Sequence, residues 1–293
     1  MAYVDRGDAR VWWSETGDGP PLVLINGLSS PSGTWHRMVR ATQATHRVIT
    51  IDNRGVGRTG MPSGPVSVPA MAADVAAVLD AAGAAPAHVV GHSMGGLIAQ
   101  ELAVTFPGHV RSLVLANTHV GMPHVLSLGE AGTPDPAVPA ALAAAMDVPA
   151  AERMELLRPI IYAPDTSPER IAEDEAVRDA SPTDTKGFTA QLVGTRSWEQ
   201  LEGLGRLKVP TLVLQGDLDR MVPLPHAQRL TDAIPGARLQ VLEGAGHQLF
   251  TDREPESAEA ILDFVGMVEQ DLLAGAPEAL GVAMRPAEQA GEQ

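Results

Sequence analysis

The 293-residue chain carries 36 acidic against 21 basic side chains, a net charge of -15, and its 44% hydrophobic content with 19% charged residues suits one large α/β domain with room for an insertion. The acidic balance argues against nucleic acid as a partner, because phosphate backbones are bound by basic surfaces. With no cysteine, disulfides, a thiolate nucleophile and sulfur-ligated metal are excluded. The N-terminal residues lack an apolar leader core, and no uninterrupted apolar run reaches the roughly 18 residues of a membrane helix, so a cytoplasmic protein without membrane attachment is expected.

Residues 1–16 read as an antiparallel hairpin that ends at the turn signal Gly17-Asp18-Gly19-Pro20. Leu22-Val23-Leu24-Ile25 is a continuous apolar run of the kind found in strands buried on both faces of a parallel sheet, and it runs into Asn26-Gly27-Leu28. A helix is expected over 35–45 and a second buried strand over 47–52. The loop after that strand contains a literal G-x-G-x-x-G at Gly55, Gly57 and Gly60. Met61-Pro62 follows where a nucleotide-binding helix would have to begin, so the segment reads as a structured loop held by Asp52 and Arg54. An alanine-rich helix is expected over 68–82, stopped by Gly83.

Val89-Val90 then ends a further strand, and a helix with an apolar face starts near Leu97. Between them Gly91-His92-Ser93-Met94-Gly95 fits G-x-S-x-G, in which glycines let a strand turn sharply into a helix and raise the serine hydroxyl above the sheet edge. A strand over 110–117 continues the alternation that builds a parallel sheet with helices on both faces. The rhythm breaks over 119–207, a proline-rich stretch with helical patches at 140–146, 152–157 and 169–180 and no strand signal. It returns with strands at 209–214 and 238–242 and helices at 225–234 and 255–273; residues 274–293 are expected to be a disordered tail.

In open parallel sheets ligands bind at the carboxyl ends of strands, which places Asn26-Gly27-Leu28, Ser93, Asp219 and His247 where chemistry would occur. Two carboxylates, Asp217 and Asp219, follow the same strand, and no carboxylate follows the strand ending at Asn117.

Leu22-Val23-Leu24-Ile25-Asn26-Gly27, Asp52-Asn53-Arg54-Gly55-Val56-Gly57-Arg58, Gly91-His92-Ser93-Met94-Gly95-Gly96, the stretch from Leu212 to Pro223, and Gly244-Ala245-Gly246-His247 together resemble the α/β-hydrolases. The resemblance implies a mostly parallel eight-stranded sheet with helices on both faces, a core at 1–118 and 208–273, and an inserted helical cap at 119–207. It further implies a nucleophile at Ser93, a base at His247 and an orienting acid, for which the Asp-Arg-x-Val-Pro pattern at 219–223 favours Asp219 over Asp217. The N–H groups of Leu28 and Met94 would form the oxyanion hole, with Asn26, His119 and His124 as candidate substrate contacts. His92 is expected to pack beside the nucleophile, Trp35 and Trp198 to anchor the core, and His36, His46, His88, His109 and His226 to lie at the surface or at element boundaries.

The implied activity is cofactor-independent and metal-independent cleavage of a carboxylic ester or lactone, in the manner of serine esterases, enol-lactonases and cofactor-free haloperoxidase-like relatives. Thioesterase, C–C hydrolase, acyltransferase and non-catalytic binding readings stay open, as does a homodimer.

Overall fold

The computed structural model describes residues 1–125, 128 and 132–275. Its strands are β1 (Ala2–Asp5), β2 (Arg10–Thr16), β3 (Pro21–Ile25), β4 (Arg47–Ile51), β5 (Ala87–His92), β6 (Val110–Ala116), β7 (Thr211–Gly216) and β8 (Arg238–Leu242). They form one eight-stranded sheet in the order β1-β2-β4-β3-β5-β6-β7-β8. β2 runs antiparallel to β1 and β4, and every later neighbour is parallel.

The apolar runs explain the layers. Successive side chains of a strand point to opposite faces, so Val23 and Ile25 join one cluster and Leu22 and Leu24 the other. The first face is covered by α2 (Val68–Ala81), α3 (Met94–Thr105) and, beyond the insertion, the helix Leu224–Ala233; their Met71, Leu79, Leu97 and Leu230 meet Val89, Leu113 and Val213. The second face is covered by α1 (His36–Thr42) and by the C-terminal helices Leu249–Asp252 and Glu254–Leu273, through Met38, Leu249, Ile261 and Phe264. Each such side chain, fully removed from water, contributes about 1.5–3 kcal/mol. Trp35 and Trp198 are both buried in these clusters.

The segment between β6 and β7 holds α4 (Met122–Val125), α5 (Ala137–Ala144), α6 (Ala150–Ile161), α7 (Pro168–Ala180), α8 (Thr185–Gly194) and α9 (Leu201–Leu204). The three expected patches correspond to α5, α6 and α7. α8 had no counterpart in the pattern because Gly187 and Gly194 interrupt it, yet its cap is legible: the Asp184 carboxylate accepts from Gly187 N at 2.6 Å. A single antiparallel bridge, Gly121 with Glu199, closes the base of the segment where no strand was expected. After it come α10 (Leu224–Ala233), α11 (Leu249–Asp252) and α12 (Glu254–Leu273). Of the expected disordered tail, 276–293 lies outside the described residues.

Buried charge ties the insertion to the sheet. Arg37 on α1 reaches Asp174 on α7 at 3.4 Å, and the same carboxylate accepts from Tyr162 Oη at 3.1 Å and Thr251 Oγ1 at 2.6 Å. Among the described residues no helix is long and apolar enough to cross a membrane.

Three histidines expected at the surface or at element boundaries are buried. His88 sits inside β5, fully buried, with Nδ1 2.7 Å from Ser112 Oγ and Nε2 2.9 Å from Glu269 on α12. His226 and His46 are buried as well. Polar partners distant in sequence make such sites tolerable, and the local pattern does not reveal them.

The Gly55-Val56-Gly57 loop is held as expected by Asp52 and Arg54. Asp52 accepts from Ser32 N at 2.7 Å and Arg58 N at 2.9 Å, while the buried Arg54 pairs with Asp74 at 2.5 Å and with Asp8 at 2.6 Å. Both carboxylates push the Arg54 guanidinium pKa upward, Asp74 most of all. Removing one member of a buried ion pair strands the other, so Arg54→Met is expected to destabilise the fold by about 3 kcal/mol in urea unfolding. A change below about 1 kcal/mol would mean that the pair is as weak as a surface one.

Candidate active site

Ser93 is the single residue between β5 and α3, and its backbone is at φ 54°, ψ -118°. A non-glycine residue there stores of order 1–3 kcal/mol of strain. Three hydrogen bonds hold it: Ser93 N donates to Ala116 O at 2.9 Å, and Ser93 O accepts from Gly96 N at 2.9 Å and from Thr118 Oγ1 at 2.7 Å. Close approach explains the flanking glycines. A Cβ at Gly91 would strike the Gly95 carbonyl, and one at Gly95 would strike the carbonyls of Ile25 and Asn26. Packing at the turn therefore brings the loop after β3 directly against the serine.

The imidazole arrives from the loop after β8. His247 Nε2 lies 3.0 Å from Ser93 Oγ, and Nδ1 lies 2.8 Å from Asp219 Oδ2. A carboxylate at Nδ1 selects the tautomer with its proton there, leaving the Nε2 lone pair to accept from the serine hydroxyl. Asp219 is itself fixed, since its other oxygen accepts from Met221 N at 2.8 Å and Val222 N at 2.9 Å. Asp217 points elsewhere and accepts from Gly244 N at 2.7 Å. Of the two candidate carboxylates, the fold thus brings Asp219 to the histidine.

Leu28 and Met94 both border the space beside Ser93. Met94 opens α3, so its N–H has no acceptor within the helix and stands at the positive end of the helix dipole. The Leu28 N–H has no hydrogen-bond acceptor among the described residues.

The remaining sequence candidates fall in three different places. Asn26 does not face the cavity: its amide donates to Pro31 O at 2.8 Å and its carbonyl accepts from Thr34 Oγ1 at 3.2 Å, which stiffens the Leu28 loop. His119 does line the cavity. His124 is set beside Glu199 at 3.0 Å instead and is not among the lining residues.

Sequence reasoning passed over several residues that hold this geometry. Asn117 donates to the carbonyls of Gly246 and His247 at 2.9 and 3.0 Å and accepts from Gly216 N at 2.8 Å, so one buried amide joins β6, β7 and the histidine loop. His92 packs beside the serine as expected, and its Nε2 also donates to His247 O at 2.8 Å. Asp252 accepts from Gly246 N at 2.8 Å, and burial raises its pKa. Gln191 on α8 accepts from Ser29 N and donates to Arg54 O, both at 2.8 Å. Asn117 had one local signal, a polar residue closing an apolar strand at the same level as Ser93.

Two chambers meet at Ser93 and His247, with Leu28, Leu142 and Met221 on both. The larger, about 460 Å³, is walled by Leu97, Met122, Val138, Leu192, Val222 and His119. The smaller, about 80 Å³, lies beneath α6, α7 and α8 and includes Ser29, Ser30, Arg153, Arg178 and Thr183. Among the described residues, no group of three or more His, Asp or Glu is placed to hold a metal ion.

The family model described as the alpha/beta hydrolase fold matches residues 20–254, and the chain belongs to that family. It is 32% identical, over 92% of its length and 100% of the relative's, to RutD of Azorhizobium caulinodans, named as a proposed carbamate hydrolase. It is 27% identical to 2-hydroxy-6-oxo-6-phenylhexa-2,4-dienoate hydrolase of Comamonas testosteroni, over 89% of this chain and 93% of that one. Among solved structures it resembles Est816, described as an N-acyl homoserine lactone degrading enzyme, with TM-score 0.76 and 28% identity, covering 89% of this chain and 99% of that one.

Burial holds three histidines neutral. The pKa is pushed down to about 3 at His92 and His119 and to about 4 at His88, in each case mainly by desolvation, from an ordinary 6.5. Below the ordinary value the unfolded chain binds protons that the folded chain refuses, so stability is full above about pH 6.5 and drains as pH falls toward 4. The melting temperature is expected to drop by roughly 5 °C or more between pH 7 and pH 5, measured by differential scanning calorimetry. A flat profile over that interval would contradict the neutral assignment.

Proposed function

We propose that the protein is a serine hydrolase that cleaves a carboxylic ester or lactone of a small or medium, largely apolar molecule through an acyl-enzyme. The observation that carries this reading is the continuous chain Ser93 Oγ, His247, Asp219, at 3.0 and 2.8 Å, on a strained strand-to-helix turn. The lactone-degrading activity named for Est816 supports the substrate class.

In this mechanism the substrate carbonyl carbon sits above Ser93. The hydroxyl oxygen attacks it while His247 Nε2 takes the proton, and Asp219 stabilises the resulting imidazolium without accepting a proton itself. The carbonyl oxygen becomes an oxyanion held by the N–H groups of Leu28 and Met94, donors that need no reorganisation because the glycine contacts already fix both loops. Collapse breaks the ester C–O bond, and the imidazolium gives its proton to the departing alkoxide. Water then repeats the sequence on the acyl-enzyme, with His247 as base, to release the carboxylic acid. The inserted helices α5 and α8 line both chambers, α6 and α7 line the smaller, and together they set which molecules fit.

Ser93→Ala is expected to abolish covalent labelling by a fluorophosphonate probe, read by intact-protein mass spectrometry; persistent labelling would remove Ser93 as the nucleophile. Asp219→Asn is expected to lower kcat on a 4-nitrophenyl ester by roughly four orders of magnitude. Asp217→Asn should lower it far less, and the reverse ranking would reassign the acid.

A further inference from the structure

In a chain with 36 acidic and only 21 basic side chains, two arginines share the smaller chamber, and among the described residues neither is in ion-pair contact with a carboxylate, although Asp184 acts on Arg153 through space. Arg153 on α6 is buried. Its guanidinium donates to Ala145 O, Thr183 O and Thr185 Oγ1 at 3.3, 2.9 and 3.3 Å and lies over the Phe188 ring at 4.5 Å. Arg178 on α7 makes one hydrogen bond, from Nη1 to Ser30 Oγ at 2.8 Å. Its Nε is buried with no acceptor. Asp179 lies on the exposed rim of the chamber and pairs with neither arginine among the described residues.

An unmatched cation in a protein of this charge calls for an explanation. With one hydrogen bond made, to Ser30, the terminal nitrogens of Arg178 keep N–H donors for an anion in the chamber that it lines. The group is also well placed for a substrate. Ser30, which it touches, donates to Leu28 O at 3.3 Å, so the fork stands next to the loop that carries the proposed oxyanion donor. The planar guanidinium of Arg178, which lines the chamber, can present its terminal nitrogens side by side to the oxygens of a carboxylate.

We propose that the smaller chamber is a carboxylate subsite and that the substrate is an ester or lactone bearing a free carboxylate, read by Arg178 with Arg153 supplying additional positive potential. The proposal rests on the hydrolase reading for the position of the scissile bond. The larger apolar chamber then receives the hydrophobic portion, and the carbonyl under attack lies between the two at Ser93. Arg178 in this role is a specificity residue that binds the end of the molecule away from the reacting bond.

The test uses the full-length Ser93→Ala protein, which holds an ester without cleaving it. Monobenzyl adipate, an anion, and benzyl methyl adipate, its neutral counterpart, are titrated by calorimetry. The anion is expected to bind at least about tenfold more tightly. Adding Arg178→Gln should bring the ratio to about one, and Arg178→Lys, which keeps the charge but loses the fork, should leave an intermediate preference. Circular dichroism and a thermal melt of each variant verify folding. Equal affinities in the parent protein, a preference that survives Arg178→Gln, or binding of neither ligand would overturn the proposal. Failure of the hydrolase reading shows separately, as preferential binding of the anion with no benzyl alcohol released by the unsubstituted protein.

Discussion

The site depends on a backbone contact that leaves no room for a side chain. Gly95 in the first turn of α3 lies against the carbonyls of Ile25 and Asn26, so the end of β3 and the start of α3 can approach closely only if that position lacks a Cβ. The approach does two things at once. It holds Ser93 in a conformation that a free chain would avoid, and it brings Leu28 and Met94 to the border of the same space beside the serine. Strain at the serine and the closeness of Leu28 to Met94 therefore depend on the same backbone contact.

A second constraint fixes the histidine. The loop from Glu243 to Gln248 carries little apolar anchoring of its own, yet it holds both ring nitrogens of His247 within hydrogen-bond distance of Ser93 and Asp219. Backbone clamps achieve this. Asn117 and His92 hold the carbonyls of residues 246 and 247, and Asp252 holds the amide of Gly246. Asn117 occupies the end of β6, a position from which a side chain can touch both neighbouring strands. In this chain that position holds the imidazole through its backbone, and the carboxylate that meets the ring is Asp219, in the loop after the next strand.

The parts legible in the sequence were those encoded locally. Leu22 to Ile25 reads as a doubly buried strand because every side chain in it is apolar, and Gly91 to Gly95 reads as a turn because its glycines frame a serine. The choice of Asp219 over Asp217 needed the family pattern, since both carboxylates follow β7 and only the folded chain shows which one meets His247. What stayed hidden depends on partners far along the chain. His88 is stabilised by Glu269, and Gln191 by Arg54 and Ser29. The direction of a side chain was equally unreadable: Asn26 turns into its own loop and His124 toward Glu199, although both sit near segments that line the cavity.

The Arg37–Asp174 contact bears on how molecules reach Ser93. Swinging the inserted helices away as a unit would pull a buried guanidinium from a buried carboxylate and cut Thr251 from the same group, a penalty of several kcal/mol. The roof is thus bolted at its α7 side. Opening by side-chain adjustment at the chamber mouths costs less there than a rigid swing, which favours molecular girth, rather than the tempo of a swinging door, as the first filter on entry.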